Sequence, residues 1–301
     1  MTLCALLLIV LSTQETNAQR WFRSSSLEFG LIGGFSHYSG ELTNHKYFES
    51  QALKGSFGII TRYTPREFVT FRLSAQYGQI LGDDKWYEDQ TDPERRDLNF
   101  QSDLWDFTGA LELNLNPIPS RQKSGVSPYV FTGASVFKYN PITTFIYDPS
   151  STIASYPGIN YAVLESRDGE TIELQPLGTE GQQTTEFNEI ERYALTQVAI
   201  PVGAGFKFKL NHKWTVGLEY GTRITFTDYL DDVSGAYVEP TRLQSQYGAM
   251  SAAMSLRTPT IDPVTIEGTP RGDDSNNDKY GIFGVTFTYR LYGNRVTCPT
   301  F

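Results

Sequence analysis

Strict alternation of apolar and polar residues, held for ten or more positions and repeated along the chain, leaves this sequence few folds to choose from. From Gly281 to Leu291, the residues Gly281, Phe283, Val285, Phe287, Tyr289 and Leu291 share one face, opposite Gly284, Thr286, Thr288 and Arg290. A period of two is that of a β-strand whose faces meet different surroundings. Between Gln197 and Leu210, Val198, Ile200, Val202, Ala204, Phe206, Phe208 and Leu210 alternate with Gln197, Gly203, Gly205, Lys207 and Lys209. From Trp214 to Phe226 the apolar set is Trp214, Val216, Leu218, Tyr220, Ile224 and Phe226, against Thr215, Gly217, Glu219, Gly221, Arg223 and Thr225. Between Trp105 and Leu115 it is Trp105, Phe107, Leu111, Leu113 and Leu115, against Asp106, Thr108, Glu112 and Asn114. Weaker versions run from Leu27 to Tyr38, Ser56 to Tyr63, Val69 to Leu81 and Pro128 to Tyr139, which completes a set of eight strands.

Alternation does not say which face meets water, because a soluble lipocalin-like barrel shows the same period with its apolar side inward. Three features decide. The segments are long for a soluble sheet, whose strands average about five or six residues. The polar face carries Arg72, Glu112, Lys207, Glu219, Arg223 and Arg290 among glycines and threonines, so charges of both signs can pair in a narrow lumen. The connections alternate: short joins at Thr64–Glu67, Asn116–Ser127 and Asn211–Lys213, long ones near 39–54, 82–103, 140–192 and 228–279. Short periplasmic turns and long external loops belong to membrane barrels. The expected fold is therefore all-β: a closed, antiparallel, up-and-down transmembrane barrel of about eight strands with both ends periplasmic, seated in outer-membrane lipid. Eight strands leave a lumen that side chains fill, so a diffusion pore is not expected.

The rest of the composition agrees. The longest early apolar run, Leu3 to Leu11, is too short to cross a bilayer and is followed by Thr16-Asn17-Ala18. Residues 1–18 therefore read as a secretory signal and 19–301 as one barrel domain with a short periplasmic tail. The 18 Tyr, 19 Phe and 26 Gly sit within a chain of negative mean hydropathy, as expected when only every second residue faces lipid. A net charge of −9 speaks against binding nucleic acid, whose phosphates need basic surface.

Chemistry-bearing residues are sparse, and the reading assigns no catalytic, cofactor or metal site. His37 and His45 flank the first outer loop near Ser36, Ser39 and Glu41, which would suit a surface hydrolase, but no nucleophile-elbow motif accompanies them. His212 falls in a tight turn. The run Asp273-Asp274-Ser275-Asn276-Asn277-Asp278 partly imitates a calcium loop yet lacks the turn glycine and the terminal glutamate, so a solvated loop is the better expectation. The same holds for the acidic residues from Asp83-Asp84 to Asp103. Cys4 would leave with the signal, and Cys298 in the tail would be the mature chain's single thiol. In an oxidising compartment that thiol could form an intermolecular disulfide, which makes Cys298 the candidate partner contact.

Three stretches carry a resemblance: Leu27-Glu28-Phe29-Gly30-Leu31 with Gly33-Gly34 and Tyr38-Ser39-Gly40-Glu41-Leu42; Thr227 to Gly235, containing Tyr-Leu-Asp-Asp-Val-Ser; and Arg271-Gly272 with Asn276 to Tyr280, closing on Thr286 to Leu291. Together they resemble the PorG family, outer-membrane barrels of the Bacteroidetes type IX secretion system. Lys279 departs from that pattern, where an aromatic residue is usual. The resemblance implies a non-catalytic anchor or assembly component that associates with the periplasmic PorK lipoprotein and PorN ring. It leaves as alternative a stand-alone small barrel with adhesin-like loops. The Tyr229–Gly235 run would lie at the outer rim, in a structural role.

Overall fold

The computed structural model describes residues 25–43, 50–86, 96–119, 122–183, 191–257 and 266–293. The expected signal segment, Cys4, His45 and Cys298 lie outside the described residues.

The strands are β1 (Ser26–Ser39), β2 (Lys54–Arg66), β3 (Val69–Asp83), β4 (Asn99–Asn114), β5 (Gly125–Thr144), β6 (Thr171–Glu173), β7 (Thr196–Lys209), β8 (Trp214–Thr225) and β9 (Lys279–Gly293). Eight of them form a ring in the order β4-β3-β2-β1-β9-β8-β7-β5, closed by pairing of β5 with β4. Every ladder is antiparallel, and the seam between first and last strands is complete, from Ser26 opposite Gly293 to Ser39 opposite Lys279. Closure satisfies the backbone of every wall strand without an edge, as hydrocarbon demands. The small β6 pairs only with the projecting end of β5, within the third long connection.

The faces point as the alternation requires. Leu31, Phe57, Phe71, Leu73, Trp105, Phe107, Phe206 and Phe287 stand exposed on the outside. Arg62, Arg72, Glu112 and Arg223 are 2 % exposed or less and fill the interior. That is the inverse of a water-soluble barrel, and its outer belt is stable only against lipid tails. No described helix is long and apolar enough to cross a membrane; the crossing is made by strands.

The strands run further outward than the alternation indicated, and a change of phase explains it. In β4 the lipid-facing residues are Trp105, Phe107, Leu111 and Leu113, whereas nearer the long-loop end the inward Phe100 and Leu104 are apolar and the outward Gln101 and Asp103 polar. The same inversion puts Tyr38, Ile80, Phe137, Tyr139, Tyr280 and Ile282 inside at that end. Beyond the bilayer the barrel reverts to the polarity of a soluble protein. A pattern that reverses phase mid-strand looks like the end of the strand, so β4 was expected to start at Trp105 and in fact starts at Asn99.

That apolar upper interior is not hollow. It packs on Leu42, Leu98, Phe145, Tyr161, Leu230, Val233, Leu243, Met250, Met254 and Ile266 from the long connections, in one continuous core. These connections, expected as loops, instead build a cap over the outer mouth. It includes two helices, α1 (Pro240–Tyr247) and α2 (Ala249–Ser255). Glu239 caps α1 with its carboxylate on the Arg242 amide, Pro240 opens it, and Gly248, at φ +90°, turns the chain into α2. In α2 every residue from Met250 to Ser255 is buried, because alanines and serines let the helix descend among the barrel aromatics.

Candidate functional site

The interior has two storeys. In the lower one, β2, β3, β4, β7 and β8 place inward-facing charges at one level. Arg62 Nε lies 2.9 Å from Glu112 and its Nη2 3.1 Å from Glu219; Arg72 Nη2 lies 2.7 Å from Glu219. Lys207 Nζ reaches the other Glu112 oxygen, and Tyr129 Oη donates to Glu219 at 2.6 Å. Arg72 also lies over the Phe131 ring at 4.7 Å. Slightly higher, Asp106 takes Arg223 Nε at 3.1 Å and the Tyr280 hydroxyl at 2.7 Å. Near the short-turn mouth, Arg290 pairs with Glu28 at 2.9 Å. Ions taken out of water survive only with such partners. Among the described residues, the periplasmic end holds a vestibule of about 70 Å³, bordered by Glu28, Glu67, Lys207, Lys209 and Arg290.

All six inward charges read from the sequence face the lumen. Arg62, the hub of the network, was missed: its segment alternates weakly because the inward Ile60 is apolar and fully buried. Its parity, opposite to that of the outward Phe57, Ile59 and Tyr63, was the available signal.

The upper storey is held by a knot of three segments, to which Thr179, Glu180 and Tyr193 of the third long connection are bonded. After β1, Gly40, Glu41 and Leu42 turn inward; after β8, Thr227 to Gly235 follows a buried path; and Arg271 to Asp278 leads into β9. Tyr193 Oη and Thr179 Oγ1 donate to the Asp232 carboxylate, each at 2.6 Å. Arg271 Nη1 bridges Glu180 at 2.8 Å and the Asp232 carbonyl at 2.6 Å, while Glu180 also accepts the Ser234 and Gly235 amides. Tyr38 Oη lies 2.6 Å from Asp231 and 2.7 Å from Asp278, and Asp278 accepts the Leu230 amide at 2.9 Å. Burial pushes Asp232 up to about 6, opposed by the Arg271 charge, and drives Asp231 and Asp278 well above the ordinary aspartate range.

Several expectations change here. Asp278 does not belong to a solvated loop: it is fully buried, although Asp273, Asp274, Ser275, Asn276 and Asn277 are exposed as foreseen. Asp84 likewise is buried and paired with Arg96 at 2.8 Å. Ser36 and His37 are not brought together, since neighbours on a strand point to opposite faces. Ser36 Oγ donates inward to the Gln79 carbonyl at 2.6 Å, whereas His37 stacks on the outward Tyr220, 3.1 Å from its hydroxyl. Glu41 joins the knot instead of His37. His212 sits exposed in the β7–β8 turn, as read. The Tyr229–Gly235 run is largely buried in this knot, where it meets Tyr38–Leu42 and Arg271–Asp278, while Leu27–Gly34 and Thr286–Leu291 run in the walls of β1 and β9.

A family model described as "Domain of unknown function (DUF6089)" matches residues 2–155, which take in β1 to β5. No curated protein matches the chain. Among solved structures it is similar to Ail, the attachment invasion locus protein of Yersinia pestis, in complex with the heparin analogue sucrose octasulfate: 12 % identity, 89 % of this chain and 98 % of that one, TM-score 0.35. It is similar to Neisserial surface protein A: 9 % identity, 88 % and 97 %, TM-score 0.38. It is also similar to the outer membrane protein OprG of Pseudomonas aeruginosa: 10 % identity, 90 % and 98 %, TM-score 0.37. The placement of the barrel in lipid rests on its own inverted faces.

Proposed function

The chain belongs to the DUF6089 family and is an outer-membrane β-barrel; from that premise we propose that it is a non-catalytic anchor and assembly component of a type IX protein secretion system. One observation carries the reading: the interior is shut at two levels, by the ion network around Arg62 and by the loop cap, so the barrel serves as a solid body. A solid body fixed in the outer membrane can do its work through what it holds. The motif stretches that resemble the PorG family supply Tyr38–Leu42, Thr227–Gly235 and Arg271–Asp278 to the cap knot, and the charged vestibule at the short-turn end offers ionic contacts to a periplasmic partner. PorK and PorN are the proposed partners, with Cys298 as the proposed covalent contact.

Deleting the gene and measuring release of cargo bearing a C-terminal sorting domain tests the role. Loss of release, restored by a plasmid copy, supports it; normal release with loss of ligand or cell binding would replace it with the adhesin-like alternative. Co-purification of PorK and PorN from detergent-solubilised envelope, with and without reductant, tests the partners. A Cys298→Ser variant that pulls down both equally well without reductant removes the disulfide.

A further inference from the structure

We propose that Glu41, Asp228 and Asp278 form a calcium site beneath the extracellular cap, tying the end of β1 to the segments on either side of the β8–β9 connection. One carboxylate oxygen from each of the three lies within 4.8 Å of those from the others, a spread that a single ion with oxygen ligands at about 2.3–2.6 Å can bridge. Asp228 is 7 % exposed and its carboxylate has at most the Ser234 hydroxyl beside it, while Glu41 Oε2 has no hydrogen-bond donor. Such buried acceptors are costly unless something positive meets them. Asp278 and Asp231 add two more buried carboxyls against Tyr38. A phenol has one proton, so Tyr38 can donate to only one of them. The nearby guanidinium groups offset this charge only in part: Arg96 pairs with Asp84 at 2.8 Å and reaches Glu41 through its backbone carbonyl at 3.2 Å, and Arg271 pairs with Glu180 at 2.8 Å.

The backbone is shaped for this cluster. A Cβ at Gly40 would overlap Asp278 Oδ1 and Tyr38 Oη, so only glycine lets the chain pass so close. The donors are all hard oxygens, which suits calcium. Magnesium keeps several of its waters and demands near-octahedral geometry, which a tight, largely buried trio of carboxylates does not offer. Held within so short a span, the three carboxylates repel one another unless a cation joins them.

The test uses the full chain folded in detergent micelles and stripped with a chelating resin. Isothermal titration with CaCl2 is expected to show one site, with a dissociation constant of roughly 0.1–1 mM as in other extracellular calcium modules, and little heat from MgCl2. Asp228→Asn and Glu41→Gln should lose the heat, while Asp274→Asn, on the exposed part of the same loop, keeps it. Thermal melting supplies a second readout with a reversal of sign. In EGTA, Asp228→Asn melts above wild type because a repulsive charge is gone; in millimolar CaCl2 wild type gains several degrees and overtakes it. Absence of calcium heat in wild type, or a melting order that calcium leaves unchanged while acid alone stabilises wild type, would overturn the site in favour of shared protons. Neither outcome depends on the role in secretion.

Discussion

Glu219 shows at the scale of one residue how the lumen is balanced. It meets Arg72 at 2.7 Å, Arg62 at 3.1 Å and Tyr129 at 2.6 Å, leaving Glu112 as the other carboxylate of the cluster. Glu219→Ala would take from buried Arg72 its close carboxylate and from buried Arg62 one of its two, Glu112 remaining at 2.9 Å, and is expected to cost about 3–5 kcal/mol. Glu219→Gln, which keeps the shape and one acceptor, should cost less. Urea unfolding in micelles, read by the shift of the folded band on unheated gels, measures both; equal and small losses would mean the network is not what holds the wall. Asp228 gives a prediction in pH. Its folded value of about 7 lies above the ordinary 3.8, so its neutral form stabilises the cap fully below the ordinary value, and that support is lost as pH rises through 7. The charges facing it are Glu41, Glu180 and Asp273, with Asp278 in the same cluster; the Ser234 hydroxyl opposes the rise, and Arg96 is the nearby positive charge acting on Glu41. In calcium-free buffer, tryptic cleavage after the exposed Arg242 should therefore quicken from pH 6 to 8 beyond the enzyme's own pH dependence on an unfolded substrate. At this scale the sequence disclosed which side chains face inward, by parity alone. It did not disclose Asp228 and Asp278 as buried, because partners of Asp278 stand 48 and 240 residues away in the chain.

At the scale of elements, period two marked every wall strand, and its limits fell where the surroundings change from lipid to water. The helices were missed for a different reason. With 8 and 7 residues, α1 and α2 are too short to show a helical stripe, and α2 is buried on all sides, so Ala-Met-Ser-Ala-Ala-Met-Ser carries no amphipathic signal. Glu239-Pro240 followed by Gly248 was the punctuation that marked α1. Cap and wall are held by different forces, side-chain packing in one and a closed backbone ladder in the other, so they should fail separately. Leu243→Ala removes a fully buried side chain from the cap core and should cost the cap about 2–5 kcal/mol. Ala252→Leu, at a fully buried position in α2, should overpack the same core. Hydrogen exchange is expected to rise in residues 228–257 of both variants while the β3–β4 amides stay protected. Loss of protection throughout the wall would mean the cap is part of the barrel's own stability.

For the whole molecule the consequence is a barrel locked twice. Small barrels can be plugged by side chains alone, yet here a cap with its own core closes the outer mouth above an ionic layer that already fills the middle. That stacking follows from the phase change in the strands: apolar residues turned inward above the bilayer need a lid, and charged residues turned inward within it need partners. The two layers are independent, which makes their roles separable by conductance. Wild type in a planar bilayer should pass no steady current. Replacing residues 239–257 by a short glycine-serine linker removes α1 and α2 but leaves Arg62, Arg72, Glu112 and Glu219 in place, so that variant should stay silent as well. Only the same replacement combined with alanine at Arg72 and Glu219 opens both levels and should give measurable ion flux. Current through wild type would overturn the closed interior and with it the reading of the barrel as a solid anchor. Current on removal of the helices alone would show that the ionic layer lets water and ions past, and that the cap is the seal.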